Sequence, residues 1–119
     1  MKIGQKYSFE IDGEHPSPYF VVCEIDEHKE SKIISIYIGG LEFKNPHTVS
    51  GFGSEISHAP CDFQSLLDSN PILIDDSVEL PDYLDGYDTW KKAFDSGEAG
   101  VFTIPPEKIV EYIVDVING

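Results

Sequence analysis

The first forty residues carry the apolar patterns that are typical of β-strands. Tyr7, Phe9 and Ile11 alternate with polar neighbours, which is the period of a half-buried strand. Residues 19–25 form a continuous aromatic and β-branched run, and residues 32–38 have the same character. Because the turns between these runs are short, we predict an antiparallel meander, curled into a curved sheet or half-barrel.

The second half shows the three-to-four-residue spacing of an amphipathic helix. Tyr83, Tyr87, Trp90 and Phe94 form one aromatic stripe, and Pro81 suits the first position of such a helix. The stripe has two interpretations. It can pack the helix on the sheet, or its tyrosines can be contact residues in an interface.

Shorter elements complete the predicted order. Asp62 is placed to cap a brief helix that runs to Leu67, and Pro105 and Pro106 begin a last amphipathic helix. Three further segments have the composition of extended chain, namely residues 54–58, 71–74 and 99–104.

These patterns predict one α+β domain over residues 1–119. A curved antiparallel N-terminal sheet, a meander or half-barrel, is packed by two to three helices from the C-terminal half. A chain of this length can bury about two-thirds of its unfolded surface, so it needs no disulfide or metal for stability. The predicted core consists of Tyr7, Phe9, Phe20, Val22, Ile34, Ile36, Trp90, Phe94, Phe102, Ile109 and Ile113.

Charge is distributed unevenly along the chain. The sequence has a formal net charge of −14 and contains no Arg, and no Lys lies between Asn45 and Trp90. Such a chain repels nucleic acid and anionic membranes and attracts cationic partners. The ordinary explanation is a solvated face without a specific role, and Asp82 and Asp85 also suit the positive end of a helix dipole. The candidate partner-binding residues are Asp75, Asp76, Glu79, Asp82, Asp85, Asp88, Tyr83 and Tyr87.

Motifs for catalysis or cofactor binding are missing from the sequence. There is no glycine-rich phosphate loop and no nucleophile elbow, so we expect no catalytic residues and no cofactor. His58 and Cys61 supply two metal ligands where zinc needs three or four. An EF-hand loop centred on Gly86 fails at three ligand positions, so no metal site is expected. Cys23 and Cys61 suit small core residues better than a disulfide.

The chain also lacks the features of a targeted or membrane-spanning protein. The residues after Met1 form no apolar signal region, and no apolar run approaches the ~20 residues of a membrane helix. We therefore expect a cytoplasmic protein, either a monomer or a homodimer.

Two stretches carry a family resemblance. Residues 55–60 read Glu-Ile-Ser-His-Ala-Pro, and residues 86–94 read Gly-Tyr-Asp-Thr-Trp-Lys-Lys-Ala-Phe, followed by Gly-Glu-Ala-Gly-Val-Phe-Thr-Ile at 97–104. With the last helix, they resemble small acidic bacterial immunity or immunity-like proteins of polymorphic and contact-dependent toxin systems. The resemblance covers roughly residues 54–117. It implies a binding role and supplies no catalytic residues.

Charge and resemblance together predict a non-enzymatic binding protein that neutralises a basic protein partner, such as a cognate nuclease-type toxin. Two alternatives stay open at this point. One is a structural or housekeeping domain whose acidity serves only solubility, and the other is a small metal-dependent enzyme that uses His58 and Cys61.

Overall fold

Seven β-strands and three α-helices follow one another along residues 1–119 of the computed structural model. The strands are β1 (Lys6–Ser8), β2 (Tyr19–His28), β3 (Ser31–Gly39), β4 (Phe43–Lys44), β5 (Phe52–Gly53), β6 (Ile56–Asp62) and β7 (Ile72–Asp75). The helices are α1 (Phe63–Asp68), α2 (Leu84–Asp95) and α3 (Pro106–Asn118). None of the three helices combines the length and the apolar composition that crossing a lipid bilayer requires.

Five strands form one open antiparallel sheet in the order β6-β3-β2-β1-β7, and β4 and β5 make a separate hairpin. The predicted α+β class is confirmed, with the N-terminal strands in the sheet and the helices in the C-terminal half. The sheet does not close into a barrel. The meander of β1, β2 and β3 is extended at one edge by β6 and at the other by β7, which pairs with β1.

The main core lies on one face of this sheet. Phe20, Ile34 and Ile36 point to it from neighbouring strands at alternate positions and are fully buried. Leu66 of α1 and Ile109 of α3 cover them and are also fully buried. The apolar stripes of these two helices therefore supply the second layer of the domain.

The other face of the sheet receives α2. Val21, Cys23 and Tyr83 form a small second apolar cluster there. The register between β2 and β3 shifts between Val22 and Glu24, and this β-bulge disturbs the usual alternation. As a result Cys23 and its neighbour Glu24 both contact the α2 side of the sheet.

Trp90 and Phe94 were expected in the core, and the structure places both outside the main cluster. Trp90 lies 5.6 Å from the ring of His58, and Phe94 lies 4.9 Å from the ring of His28, between ring centroids. The aromatic stripe thus packs α2 on the sheet, which was one of the two interpretations. It does so on the face opposite the main core. Periodicity identifies an apolar stripe without telling which face of a sheet it will meet.

Two predicted boundaries need correction in the second half. Helix α2 begins at Leu84 rather than at Pro81, because Tyr83 is held against the sheet with a non-helical φ of −121°. Residues 99–104 form no strand. Phe102 makes a single parallel bridge to Cys61, and β6 ends one residue later where α1 begins.

Of four other elements, two differ from the predicted bounds and two confirm the prediction. The strand expected at residues 54–58 runs instead from Ile56 to Asp62, and the strand around Tyr7 is only three residues long. The expected extended segment is confirmed as β7. Asp62 caps α1 as predicted, since its carboxylate accepts a 3.1 Å hydrogen bond from the Ser65 backbone N–H.

Candidate acidic interaction surface

Six carboxylates between β7 and the middle of α2 form what we call the acidic surface: Asp75, Asp76, Glu79, Asp82, Asp85 and Asp88. All six residues are exposed. The chain contains two ion pairs, Lys91 with Asp95 and Lys108 with Glu111, and neither involves the acidic surface. No lysine of the chain therefore forms an ion pair with these carboxylates, and their charge faces solvent.

The first part of the acidic surface follows the edge of the sheet. Asp75 is the last residue of β7, and Asp76 accepts a 2.9 Å hydrogen bond from the Gln5 amide. Two residues later the Val78 N–H donates a 2.8 Å hydrogen bond to the Gly4 carbonyl. These bonds fix the chain beside the start of β1, so the carboxylates in this part are held on an ordered backbone.

The second part lies at and along α2. Asp85 is in the first turn, where the helix dipole favours a negative charge. Asp85 and Asp88 share a shallow surface cavity of about 560 Å³ with Lys92 and Glu98. The structure thus brings these two carboxylates together, whereas Asp82 and the carboxylates near the sheet edge do not line this cavity.

The two tyrosines predicted as contact residues are turned toward the sheet. The Tyr83 hydroxyl donates a 2.8 Å hydrogen bond to Glu24 Oε1, and the Tyr87 hydroxyl donates to both carboxylate oxygens of Asp26 at 2.9 and 3.1 Å. Tyr83 is only 8% exposed. In this position the tyrosines hold the α2 segment in place, and little of their ring surface is accessible to a partner.

Burial keeps both hydroxyls protonated. It raises the pKa of Tyr83 to about 12, with a further contribution from the hydrogen bond to Glu24. The pKa of Tyr87 is also raised, first by burial and then by its hydrogen bond to Asp26. Both groups therefore stay neutral donors at physiological pH, and the carboxylates they contact keep a fixed partner.

A histidine lies under α2 beside these groups. His58 Nε2 is 2.9 Å from Ser35 Oγ, and its ring centroid is 5.7 Å from that of Tyr87 and 5.6 Å from that of Trp90. Burial lowers the pKa of His58 to about 4, although the nearby Asp26 opposes that shift. Ser35 is fully buried, so the pair cannot reach a substrate as nucleophile and base in this arrangement.

The residues considered for metal binding lie on opposite sides of the sheet. Cys61 is fully buried in the main core, whereas His58 faces α2. No group of three or more His, Cys, Asp or Glu side chains is arranged to hold a metal ion. Both cysteines are free, and burial raises the pKa of Cys23 to about 11 and that of Cys61 further still. Their thiols are therefore protonated and weakly nucleophilic.

Glu24 and Asp26 were not predicted as partners of the tyrosines. The spacing indicates that Glu24, Asp26 and His28 share one face of β2. Strict alternation from Phe20 and Val22 would turn that face toward the main core, and the β-bulge between Val22 and Glu24 turns it toward α2 instead. The geometry of the acidic surface is the basis for interpreting its function, since the chain matches no protein-family model, no curated protein and no solved structure.

Proposed function

We propose that this protein is a non-enzymatic binding protein that neutralises a cationic protein partner, as an immunity protein neutralises its toxin. The observation that supports the proposal is the acidic surface, with six exposed carboxylates that no lysine of the chain pairs. A net charge of −14 adds a long-range field of the same sign. Together they favour encounter with a basic surface.

The charge acts first on the rate of association. Electrostatic steering raises association rates by about 10- to 1000-fold at low salt. Once bound, carboxylates occupy the Lys and Arg side chains with which a nuclease-type toxin would hold phosphate groups. The partner would then lose access to its nucleic acid without any covalent change.

Apolar side chains beside the carboxylates supply contact area. Leu80 and Leu84 flank Tyr83 and are 38% and 52% exposed. Exposed apolar residues within a charged rim are typical of protein interfaces. Tyr83 and Tyr87 contribute indirectly, because their hydrogen bonds to Glu24 and Asp26 fix the position of the segment that carries Leu80, Leu84 and half of the acidic surface.

Co-expression in the native host tests this proposal. The tagged chain would be produced together with the product of the neighbouring open reading frame and recovered at low and at high salt. We expect a basic protein to co-purify at low salt, with its yield falling as salt rises, and the chain to protect cells from that protein's toxicity. Recovery of no basic partner together with no protection would contradict the proposal.

A further inference from the structure

The two edges of the five-stranded sheet differ in whether the chain forms hydrogen bonds to their outer side. At the β6 edge, the Phe102 N–H donates to the Pro60 carbonyl at 2.8 Å, and the Phe102 carbonyl accepts from the Asp62 N–H at 2.9 Å. These bonds cover the edge at the C-terminal end of β6. At the opposite edge, β7 pairs with β1 on one side, and no backbone or side-chain group of the chain bonds to its outer side. The β7 edge is therefore open.

The pattern of hydrogen bonds shows which backbone groups of β7 are free. The Val22 N–H donates to Gln5 and the Phe9 N–H donates to Pro18, both across the β1–β2 pair. Because hydrogen-bonded positions alternate, the backbone groups of Tyr7 also face β2 and not β7. Leu73 is opposite Tyr7, so its N–H and carbonyl point away from the sheet.

The side chains of this strand are also uncovered. Ile72, Leu73 and Ile74 are 65%, 46% and 51% exposed. Three consecutive exposed apolar residues on an open edge are a template for another strand, which natural proteins usually avoid. Pro71 and Asp75 bound the segment, and such flanking residues oppose indiscriminate pairing while leaving the strand itself accessible.

Building on the proposed function, we propose that the β7 edge accepts an extended, Lys- or Arg-bearing segment of the cationic partner as a further antiparallel strand. Main-chain hydrogen bonds at Leu73 would provide affinity, and alternate side chains of the added strand would provide specificity. The occupant is a basic chain because Asp75 ends β7 and Asp76 follows it directly, and both are exposed. A second copy of this chain would bring two charges of −14 together.

A cavity beside the edge agrees with a basic occupant. It has a volume of about 1010 Å³ and borders Ile72 at the start of β7. Its wall includes the ion pair of Lys108 with Glu111 and three further carboxylates, which are Glu10, Asp12 and Glu107. A Lys or Arg side chain of the added strand would find both space and opposite charge there.

Amide hydrogen exchange of the whole protein tests the proposal, with a synthetic peptide of alternating Lys and Val as the probe. We expect the Leu73 amide to exchange about tenfold more slowly once roughly nine-tenths of the protein is bound. A matched peptide of alternating Glu and Val should leave that rate unchanged. An unchanged Leu73 rate at saturating Lys-Val peptide would overturn the proposal, and so would protection of Leu73 that depends on protein concentration alone, because that outcome assigns the edge to a second copy.

Two substitutions at one position separate the backbone from the side chain. Leu73→Ala keeps the outward N–H, whereas Leu73→Pro removes it, and an edge position tolerates proline when its N–H faces solvent. We expect the Lys-Val peptide to bind Leu73→Pro at least about tenfold more weakly than Leu73→Ala. Equal affinities would overturn docking at β7. If Leu73→Pro does not fold, the exchange measurement on the unaltered chain still tests docking at β7. The co-expression assay tests the proposed function separately.

Discussion

The Tyr83 hydroxyl donates a 2.8 Å hydrogen bond to Glu24 Oε1, which joins residues 59 positions apart in the sequence. The bond connects the segment before α2 to the central strand β2. Four residues later Tyr87 repeats the arrangement with Asp26, one turn along the helix and two residues along the strand. The two bonds position α2, and with it the second part of the acidic surface, on the sheet.

Removing the Tyr83 hydroxyl should weaken this attachment. We expect Tyr83→Phe to lower the free energy of unfolding by about 1–2 kcal/mol, because Glu24 loses a partner at a partly buried site. Tyr112→Phe is the matched control, since Tyr112 is 56% exposed and its hydroxyl makes no hydrogen bond. Urea unfolding of the two variants compares them, and equal losses would show that the Tyr83 bond contributes nothing to stability.

The same substitution should expose one of the two thiols. Cys23 packs with Tyr83 in the second apolar cluster, whereas Cys61 is in the main core. In the unaltered protein we expect both to react with a disulfide reagent about a hundredfold or more slowly than in denaturant. In Tyr83→Phe, Cys23 should react faster and Cys61 should not change. Rapid reaction of Cys61 in the native protein would contradict the burial described here.

Stability should fall in mild acid because of His58. The folded protein holds the pKa of this group at about 4, against an ordinary value of 6.5. Between those values the unfolded chain binds a proton that the folded chain excludes. The contribution of neutral His58 to the free energy of unfolding is therefore complete above pH 6.5 and decreases as the pH falls toward 4. Because His58 is partly exposed, we expect the free energy of unfolding to fall by roughly 2 kcal/mol.

The variant His58→Gln isolates that contribution, because its amide can still bond Ser35 but cannot take up the proton. Unfolding free energies of both proteins would be measured at about pH 7 and about pH 4. The carboxylates affect both proteins alike, so the difference in pH dependence reports His58. If the unaltered protein and His58→Gln lose the same stability in acid, His58 is not held neutral as described.

The sequence predicted most of the fold because its signals were local. The apolar runs of β2 and β3, the cap at Asp62 and the stripe of α3 depend on neighbouring residues, and each is found where expected. The extra pairing of β7 with β1 and the side of the sheet that α2 covers depend on contacts between distant residues. No periodicity in the chain specifies those contacts.

The candidate site divides in the same way. The exposed acidic residues could be identified from their positions in the sequence, since carboxylates seldom leave the surface without a partner. The inward orientation of Tyr83 and Tyr87 could not, because it requires Glu24 and Asp26 to lie opposite them in space. The open edge of β7 likewise becomes visible only once the strand order is known.

Two triple charge reversals of equal size, compared in the co-expression assay, test directly whether the acidic surface recognises a cationic partner. One variant, Glu79→Lys with Asp82→Lys and Asp88→Lys, changes the acidic surface. The control, Glu14→Lys with Glu30→Lys and Glu42→Lys, changes exposed acids elsewhere that form no ion pair. We expect the first to lose partner binding by about a hundredfold or more, with loss of protection, and the control to change it by less than about tenfold. Equal effects of the two variants, or undiminished binding by the first, would contradict an acidic surface that recognises a cationic partner.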